Sequence, residues 1–231
     1  MLVIMTQVTP LTSTLRGPAS ATTRRAYAFV RDGVTQGRYA PGDWLREGTL
    51  ADELGLSRTP VREALRVLAA EGVVELVHNR GARVVRWTVE DVEETYRLRA
   101  LLEGEAAALA ARRATPEQLA ELVRTCDEHE RTVVEGASAV EQAAANDAFH
   151  AAVLHAASSP RLVGLHAVVT SGPLVARALS GYGDVDRQRS VIAHRDIVTA
   201  VRERDEQLAA SAMRAHVLAA RHVAQRSAAT G

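Results

Sequence analysis

The sequence predicts a mostly α-helical protein in two parts: a small N-terminal domain of three helices and a two-stranded β-hairpin, then an antiparallel all-helical bundle. Composition is the first observation behind this fold class, because 47% of the 231 residues are hydrophobic and only 3% are aromatic. The core must therefore consist of Ala, Leu and Val, and a chain rich in Ala, Leu and Arg favours helices. The second observation is a change near Thr88, where short segments punctuated by glycine give way to long helical ones.

The N-terminal domain, residues 21–87, is predicted from apolar spacing and from residues that begin or end helices. Three helices are expected at residues 24–36, from Thr49 to Leu54, and from Ser57 or Thr59 to Glu71, and two strands at 73–77 and 82–87. Thr49 caps the second helix, and the third contains Pro60 in its first turn, where a missing N–H costs little. Residues 78–81 join the two strands as a hairpin. This order is that of a winged helix-turn-helix.

The second domain, residues 88–231, is predicted to hold about six helices of 15–25 residues. Thr88 caps the first, which runs to about Arg113, and Thr115-Pro-Glu-Gln118 begins the next with a capping box. Further breaks are expected near residues 136–138, 158–160, 181–183 and 204–205. Residues 1–20, rich in Thr, Ser and Pro, are expected to form a loose tail.

Charge and cysteine content narrow the classes of protein. The formal net charge is zero, but residues 20–87 carry 11 Arg against 8 acids, whereas residues 88–231 carry 16 Arg against 20 acids. A basic front half and an acidic back half indicate a division of labour. A single cysteine excludes an internal disulfide, and no apolar run approaches the ~20 residues that span a membrane. We therefore expect a cytoplasmic protein.

The third predicted helix carries arginines on one face. Arg58 and Arg62 are four residues apart, and Arg66 follows on the same side. Apolar residues occupy the opposite face: Val61, Ala64, Leu65 and Leu68. A guanidinium in the major groove can bind guanine O6 and N7 together, and the hydroxyls of Ser57 and Thr59 suit phosphates. The alternative is an ordinary solvated helix with an arginine face.

Four stretches within residues 22–86 form a known pattern. They are Gly37-Arg-Tyr-Ala-Pro-Gly-Asp-Trp-Leu45, Leu50-Ala-Asp-Glu-Leu-Gly-Leu-Ser-Arg-Thr-Pro-Val-Arg-Glu-Ala-Leu65, Glu71-Gly72 and Asn79-Arg-Gly81. Together they closely resemble the DNA-binding domain of GntR-family transcriptional regulators. The resemblance implies DNA contacts from these residues: Arg46, Arg58, Arg62, Arg66, and Asn79, Arg80 and Gly81 at the tip of the wing.

The second domain has no phosphate-binding loop, cysteine pair or nucleophile elbow, but its histidines are suggestively placed. Asn146 and His150 are four residues apart on one helix face, and His194 and His216 lie on two later helices. Three imidazoles and one oxygen ligand from three helices could hold a divalent transition metal such as zinc or nickel. Spacing alone leaves the alternative that these are ordinary core or surface histidines.

A resemblance strengthens the metal hypothesis. Arg99-Ala-Leu-Leu-Glu103, Asn146-Asp-Ala-Phe-His150, and His194 followed by Met213 and His216 look like the FCD ligand-binding domain of the FadR subfamily, over about residues 89–226. That domain is an all-helical bundle, and many members bind a metal through an Asp-or-Asn-x3-His box and two later histidines. Here the box begins with Asn146 where many relatives have Asp, and the loss of that charge should weaken binding. Asp147 points about 100° around the helix and is an improbable substitute.

Arg99 has two interpretations that the sequence leaves open. It could face the cavity and bind the carboxylate of an effector, or it could form an ion pair with Glu103 one turn later. The remaining histidines, for which packing or surface roles are expected, are His129, His155, His166 and His222. Trp44 and Trp87 flank the first domain and are expected in its core or at a domain contact.

These features together predict a bacterial transcription factor and not an enzyme. We expect a homodimer that binds an inverted-repeat operator in double-stranded DNA, with an affinity set by a small-molecule effector, a metabolic organic acid. One alternative is a regulator for which the metal itself is the signal. A second is a three-histidine metalloenzyme, against which the histidines have no evident general base beside them.

Overall fold

A computed structural model of the chain describes residues 20–78, 80–86, 88–170 and 182–229. The chain divides into two compact units between Val85 and Arg86. Three of the expectations above lie outside the described residues: the tail before Ser20, the wing residue Asn79, and Trp87. Within the described part of the chain, no helix combines the length and the apolar character needed to cross a membrane.

The N-terminal unit has three helices and a three-stranded antiparallel sheet. The elements are α1 Ala21–Thr35, β1 Trp44–Leu45, α2 Glu47–Leu54, α3 Arg58–Ala70, β2 Val74–Val77 and β3 Gly81–Val84. The strand order is β1-β3-β2, with Trp44 opposite Arg83 and Leu45 opposite Ala82. The prediction of a two-stranded wing was therefore incomplete, because a strand of two residues is too short to show an alternating pattern.

The starts of α1 and α2 differ from the sequence prediction, whereas that of α3 follows one of the two predicted alternatives. Helix α2 begins at Glu47, after Arg46, so Thr49 lies inside the helix and does not cap it. Ser57 stands at the N-cap of α3, although its side chain makes no capping hydrogen bond. The apolar faces of the helices meet in one core that contains Val30, Leu50 and Leu65. This core fixes α3 so that its opposite face stays in solvent.

The C-terminal unit contains six helices among the described residues. They are α4 Val89–Arg113, α5 Pro116–Val134, α6 Ala139–Ala156, α7 Pro160–Val169, α8 Asp184–Arg202 and α9 Glu206–Ala229. Capping boxes begin three of them, at Thr88, Thr115 and Ser138. Helix α7 has 10 residues, fewer than predicted. Helix α4 packs chiefly on α9, α5 on α6, and α8 on both α5 and α9.

The core of this unit is built mostly from alanines, as the composition predicts, around a few larger side chains. Tyr96, Leu122, Phe149, Ile197 and Met213 are each at most 1% exposed. Small residues allow the helices to approach closely, so side chains from three helices can meet near the middle of the bundle. Three of the side chains that meet there are histidines.

Candidate DNA-binding surface and metal centre

Helix α3 presents its arginines to solvent, as its periodicity predicts. Arg58, Arg62 and Arg66 are exposed. The apolar face of the same helix is buried to within 1% exposure: Val61, Ala64, Leu65 and Leu68. Ser57 and Thr59 lie at the start of the helix, and both are exposed. A free helix N-terminus with hydroxyls beside it is a favourable place for a phosphate group.

A concave surface joins α3 to the sheet and collects most of the predicted DNA contacts. Its lining residues are Trp44, Arg46, Glu47, Arg58, Arg62, Arg66, Leu76, Val77, His78, Arg80 and Gly81. Trp44 is 43% exposed on this surface, so the expectation of a core position was wrong. Its side chain points out of the short strand β1, while the next residue, Leu45, fills the core.

The arginines of α3 differ in their partners. Arg62 donates from Nε and Nη2 to the carboxylate of Glu47, at 3.0 and 2.8 Å. Arg66 donates to Glu63 at 2.7 Å, whereas the side chain of Arg58 has no hydrogen bond or ion pair within the described residues. Sequence analysis missed Glu47, because it lies 15 residues from Arg62 and no local spacing links them. The hydrogen bond from Arg62 lowers the pKa of Glu47, so this carboxylate is ionised.

The wing begins at a position that requires glycine. Gly81 has φ +99°, and a Cβ there would lie 2.5 Å from the carbonyl oxygen of Leu45 in the neighbouring strand. A residue with a side chain would therefore meet both backbone strain and a backbone clash. Arg80, just before it, is exposed. The close approach of Gly81 to Leu45 fixes the wing against β1.

Three histidines from α6, α8 and α9 converge in the helical unit. Nε2 of His216 lies 3.1 Å from Nε2 of His150 and 3.2 Å from Nε2 of His194. All three side chains are buried, and no other group of three such ligands occurs among the described residues. An ion bound at about 2.0–2.1 Å would hold two imidazole nitrogens about 3.0 Å apart at a right angle and about 3.4 Å apart at the tetrahedral angle. The spacing therefore fits a transition metal.

A buried carboxylate orients His150. Glu103, 1% exposed, accepts from Nδ1 of His150 at 2.5 Å and from Nε of Arg99 at 2.7 Å. Burial favours the neutral acid, but Arg99 and His150 outweigh it and lower the pKa of Glu103 well below its usual range. An ionised carboxylate only accepts, so Nδ1 of His150 carries a proton, and Nε2 of the same ring faces the other histidines.

The environment keeps the imidazoles of His194 and His216 neutral. Burial lowers the pKa of His194 and His216 well below 6.5, and neighbouring histidines lower it further. Phe149 stacks on the ring of His194 with centroids 3.8 Å apart, and His129 lies 4.6 Å away on another side. Neutral imidazoles with fixed rings are suited to binding a metal ion.

The remaining predicted residues surround this cluster. Asn146 is 6% exposed, one turn before His150, and lines a small cavity with His129, whereas Asp147 is exposed. Arg99 forms the ion pair with Glu103, one of its two proposed roles, and its guanidinium lies 4.9 Å from the centroid of the Tyr96 ring.

His166 has a partner that the sequence did not suggest. Its Nε2 lies 3.1 Å from Oε1 of Glu103, so the expectation of a packing or surface role was too weak. Glu103 and His166 are 63 residues apart, and the sequence signals for Glu103 were its spacing from Arg99 and its place in the FCD-like stretch at residues 99–103.

Comparison with known proteins identifies a family for each of the two units. Residues 22–84 match the model for bacterial regulatory proteins of the gntR family, and residues 94–219 match the FCD domain. A probable D-xylose utilization operon transcriptional repressor of Paenarthrobacter nicotinovorans is 35% identical over 191 residues, 83% of each chain. A transcriptional regulator in an unstable DNA locus of Streptomyces ambofaciens is 33% identical, over 85% of this chain and 82% of its own.

Solved structures give the same result at the level of the fold. Escherichia coli McbR/YncC superposes with a TM-score of 0.67 at 25% identity, and the match covers 91% of this chain and 97% of that one. The chain thus combines a gntR-family domain with an FCD domain. The chain belongs to the GntR family of bacterial transcriptional regulators, in the FadR-like branch that carries an FCD domain.

Proposed function

We propose that this regulator binds an inverted-repeat operator as a homodimer and that a small carboxylate, bound at a metal in the helical unit, controls its affinity. The observation that carries the proposal is the convergence of three buried imidazoles, in which Nε2 of His216 lies 3.1 Å from that of His150 and 3.2 Å from that of His194. A winged domain covers only a few base pairs, so a two-fold pair of domains would double the contacts.

In the proposed complex, α3 enters the major groove. Arg58 makes no hydrogen bond or ion pair with the described residues, and Arg62 is held by Glu47 along the Nε–Nη2 edge. The Nη1–Nη2 edge of Arg62 then remains for O6 and N7 of a guanine. Glu47 would thus preorganise the arginine and not only compete with DNA for it. Arg46 and Arg80 line the same concave surface and are suited to phosphates or the adjacent minor groove.

In the helical unit, His150, His194 and His216 would bind the ion, with Asn146 as a fourth ligand. Imidazole ligands suit zinc, nickel, copper or iron better than magnesium or calcium, which prefer oxygen. A bound ion would supply a positive centre that attracts a carboxylate. Arg99 is our proposed second anchor for that carboxylate, because the contact with Glu103 uses only its Nε.

Control of DNA binding requires that the effector and the operator prefer different arrangements of the protein. The effector then shifts the population toward the arrangement that it binds more tightly, which has either lower or higher operator affinity. The largest possible shift equals the ratio of the effector's affinities for the two arrangements. The relative from Paenarthrobacter nicotinovorans is described as a probable repressor of a D-xylose utilization operon, which supports an effector that comes from metabolism.

Elemental analysis of untagged protein tests the metal. We expect one transition-metal ion per chain in the wild type and a loss of metal in a His150→Ala, His194→Ala double variant. The matched control is a His155→Ala, His222→Ala double variant, which removes two exposed imidazoles and should retain the ion. Equal metal content in all three proteins would refute the metal site but not DNA binding.

Operator titration then separates regulation by an acid from regulation by the metal. The metal-loaded wild type should bind a mapped operator, and a carboxylate should change that affinity only when the metal is present. A change of operator affinity caused by the metal alone, with no further response to any acid, would instead identify a metal sensor.

A further inference from the structure

Trp44 is the largest apolar side chain on the concave surface that holds the arginines of α3. It is 43% exposed, and Leu76, on the same surface, is 51% exposed. The proposed function uses the arginines of this surface and gives Trp44 no role. Tryptophan is enriched where proteins contact their partners, because the indole combines a large apolar body with one polar group. An exposed indole at this position is therefore a candidate contact.

Neighbouring strands hold the indole of Trp44 in place. Trp44 stands opposite Arg83, and Arg83 stands opposite Glu75, so the three exposed side chains share one face of the sheet. The guanidinium of Arg83 lies 5.9 Å from the centroid of the indole ring and also forms an ion pair with Glu75. A cation at this distance is attracted to the face of the ring. The ring is thus held before a partner binds, and little side-chain entropy is lost on contact.

The polar group of Trp44 is available as a donor. Its indole N–H makes no hydrogen bond with any residue that the structure describes. An indole N–H only donates, and the oxygens of a DNA phosphate only accept, so the two groups are complementary. The apolar ring would pack on the C–H groups of the adjacent deoxyribose.

The charges around Trp44 favour a phosphate backbone as its partner. Glu47 is the one acidic residue in the described part of the chain that lines the concave surface. Arginines on a protein surface attract the phosphates of nucleic acid. With α3 in the major groove, which is about 12 Å wide, side chains of the sheet would meet the backbone that borders the groove. Five arginines line the surface: Arg46, Arg58, Arg62, Arg66 and Arg80.

We infer that Trp44 contacts the sugar-phosphate backbone of the operator beside the groove that α3 enters. Its indole N–H donates to a phosphate oxygen, and its ring packs on a deoxyribose. The inference rests on the proposed placement of α3 in the major groove. Such a contact positions the protein on DNA and carries no sequence information directly. The donor is neutral, so the contact releases no counterion from the DNA.

Titration of Trp44→Leu with operator and with random DNA, at several salt concentrations, tests the contact. Leucine keeps an apolar side chain but removes the N–H and the flat ring. We expect the affinity for both DNAs to fall about tenfold, the effect of one hydrogen bond to a charged group, with their ratio unchanged. The slope of log affinity against log salt concentration should also stay unchanged, whereas loss of an arginine that contacts a phosphate lowers it by about one.

Phe29→Leu is the matched control. Phe29 is also an aromatic ring with an arginine against it, Arg38 at 4.8 Å, but it does not line the concave surface. This variant should change neither the affinities nor the salt slope. Fluorescence detects the contact itself: in Trp87→Phe, Trp44 is the only tryptophan, and operator binding should shield it from quenching by acrylamide.

The outcomes separate this inference from the proposed function. Operator affinity of Trp44→Leu within about twofold of the wild type, or equal acrylamide quenching of Trp44 with and without operator, would overturn the inference. A lower ratio of operator to random-DNA affinity would identify a base contact and overturn the backbone assignment. Loss of the dimer in Trp44→Leu, seen by sedimentation, would place Trp44 between copies of the chain and also overturn it. The placement of α3 stands through all of these results and fails separately if Arg62→Ala keeps the full base preference.

Discussion

Replacement of Glu103 by Gln tests how the helical unit prepares His150 for a metal. The carboxylate accepts three hydrogen bonds, from Nδ1 of His150, Nε of Arg99 and Nε2 of His166, at 2.5, 2.7 and 3.1 Å. A glutamine at this position has one accepting oxygen and one donating NH₂ group. If the oxygen stays with Arg99 and His166, the NH₂ group faces Nδ1 of His150. The proton of His150 then moves to Nε2, and the lone pair that the metal needs is lost.

The magnitude has two parts. Loss of an outer partner of a metal-binding histidine typically lowers metal affinity about 10–100-fold, or about 1.4–2.7 kcal/mol. The metal-free protein is also destabilised, because Arg99 and Glu103 are 6% and 1% exposed and breaking a buried ion pair costs about 3–5 kcal/mol. The amide oxygen can still accept from Arg99, so we expect the loss of stability to lie near the lower end of this range of about 3–5 kcal/mol.

Competition with a chromophoric chelator measures the metal affinity, and urea unfolding of the metal-free protein measures stability. The control is Glu105→Gln, an exposed position on the same helix, for which both quantities should match the wild type. The reasoning fails if folded Glu103→Gln protein binds metal within about twofold of the wild type, since the typical effect of such a partner is about tenfold or more.

Five further results are expected. A footprint should show an inverted repeat bound by a dimer, and a single half-site bound by a monomer would contradict this. Arg62→Ala should weaken operator binding by about 1–3 kcal/mol and flatten the preference at one base position. Glu47→Gln should lower the ratio of operator affinity to random-DNA affinity, because Arg62 loses its support. Titration of operator variants measures both effects. Gly81→Ala should lower the free energy of unfolding, measured with urea, by about 1–3 kcal/mol. The loss should be smaller for Gly37→Ala, where φ is also positive but nothing lies within 4 Å of the added Cβ. Stability without metal should fall as the pH drops below about 6.5, because burial lowers the pKa of His194 and the unfolded chain binds more protons there; a flat urea-unfolding profile between pH 7 and 5 would argue against that burial.

The sequence predicted the candidate DNA-binding surface more completely than the candidate metal centre. Helical spacing put Arg58, Arg62 and Arg66 on one face, and the structure places them on the concave surface with Arg80. For the cluster, spacing linked only Asn146 to His150, and resemblance to a known domain supplied the two later histidines. His150 and His216 are 66 residues apart, a separation at which no local pattern indicates contact.

Interactions between near neighbours in the chain were determined by the sequence alone. They include the periodic apolar faces, the capping boxes and the glycine that follows each short helix, because each depends on residues within about one turn of the other. The tertiary structure decided which distant groups meet: Glu47 with Arg62, β1 with β3, and Glu103 with His150 and His166. The physical reason is that such contacts depend on how whole helices pack, and packing follows from the summed burial of many alanine and leucine side chains and not from the spacing of the residues that finally touch.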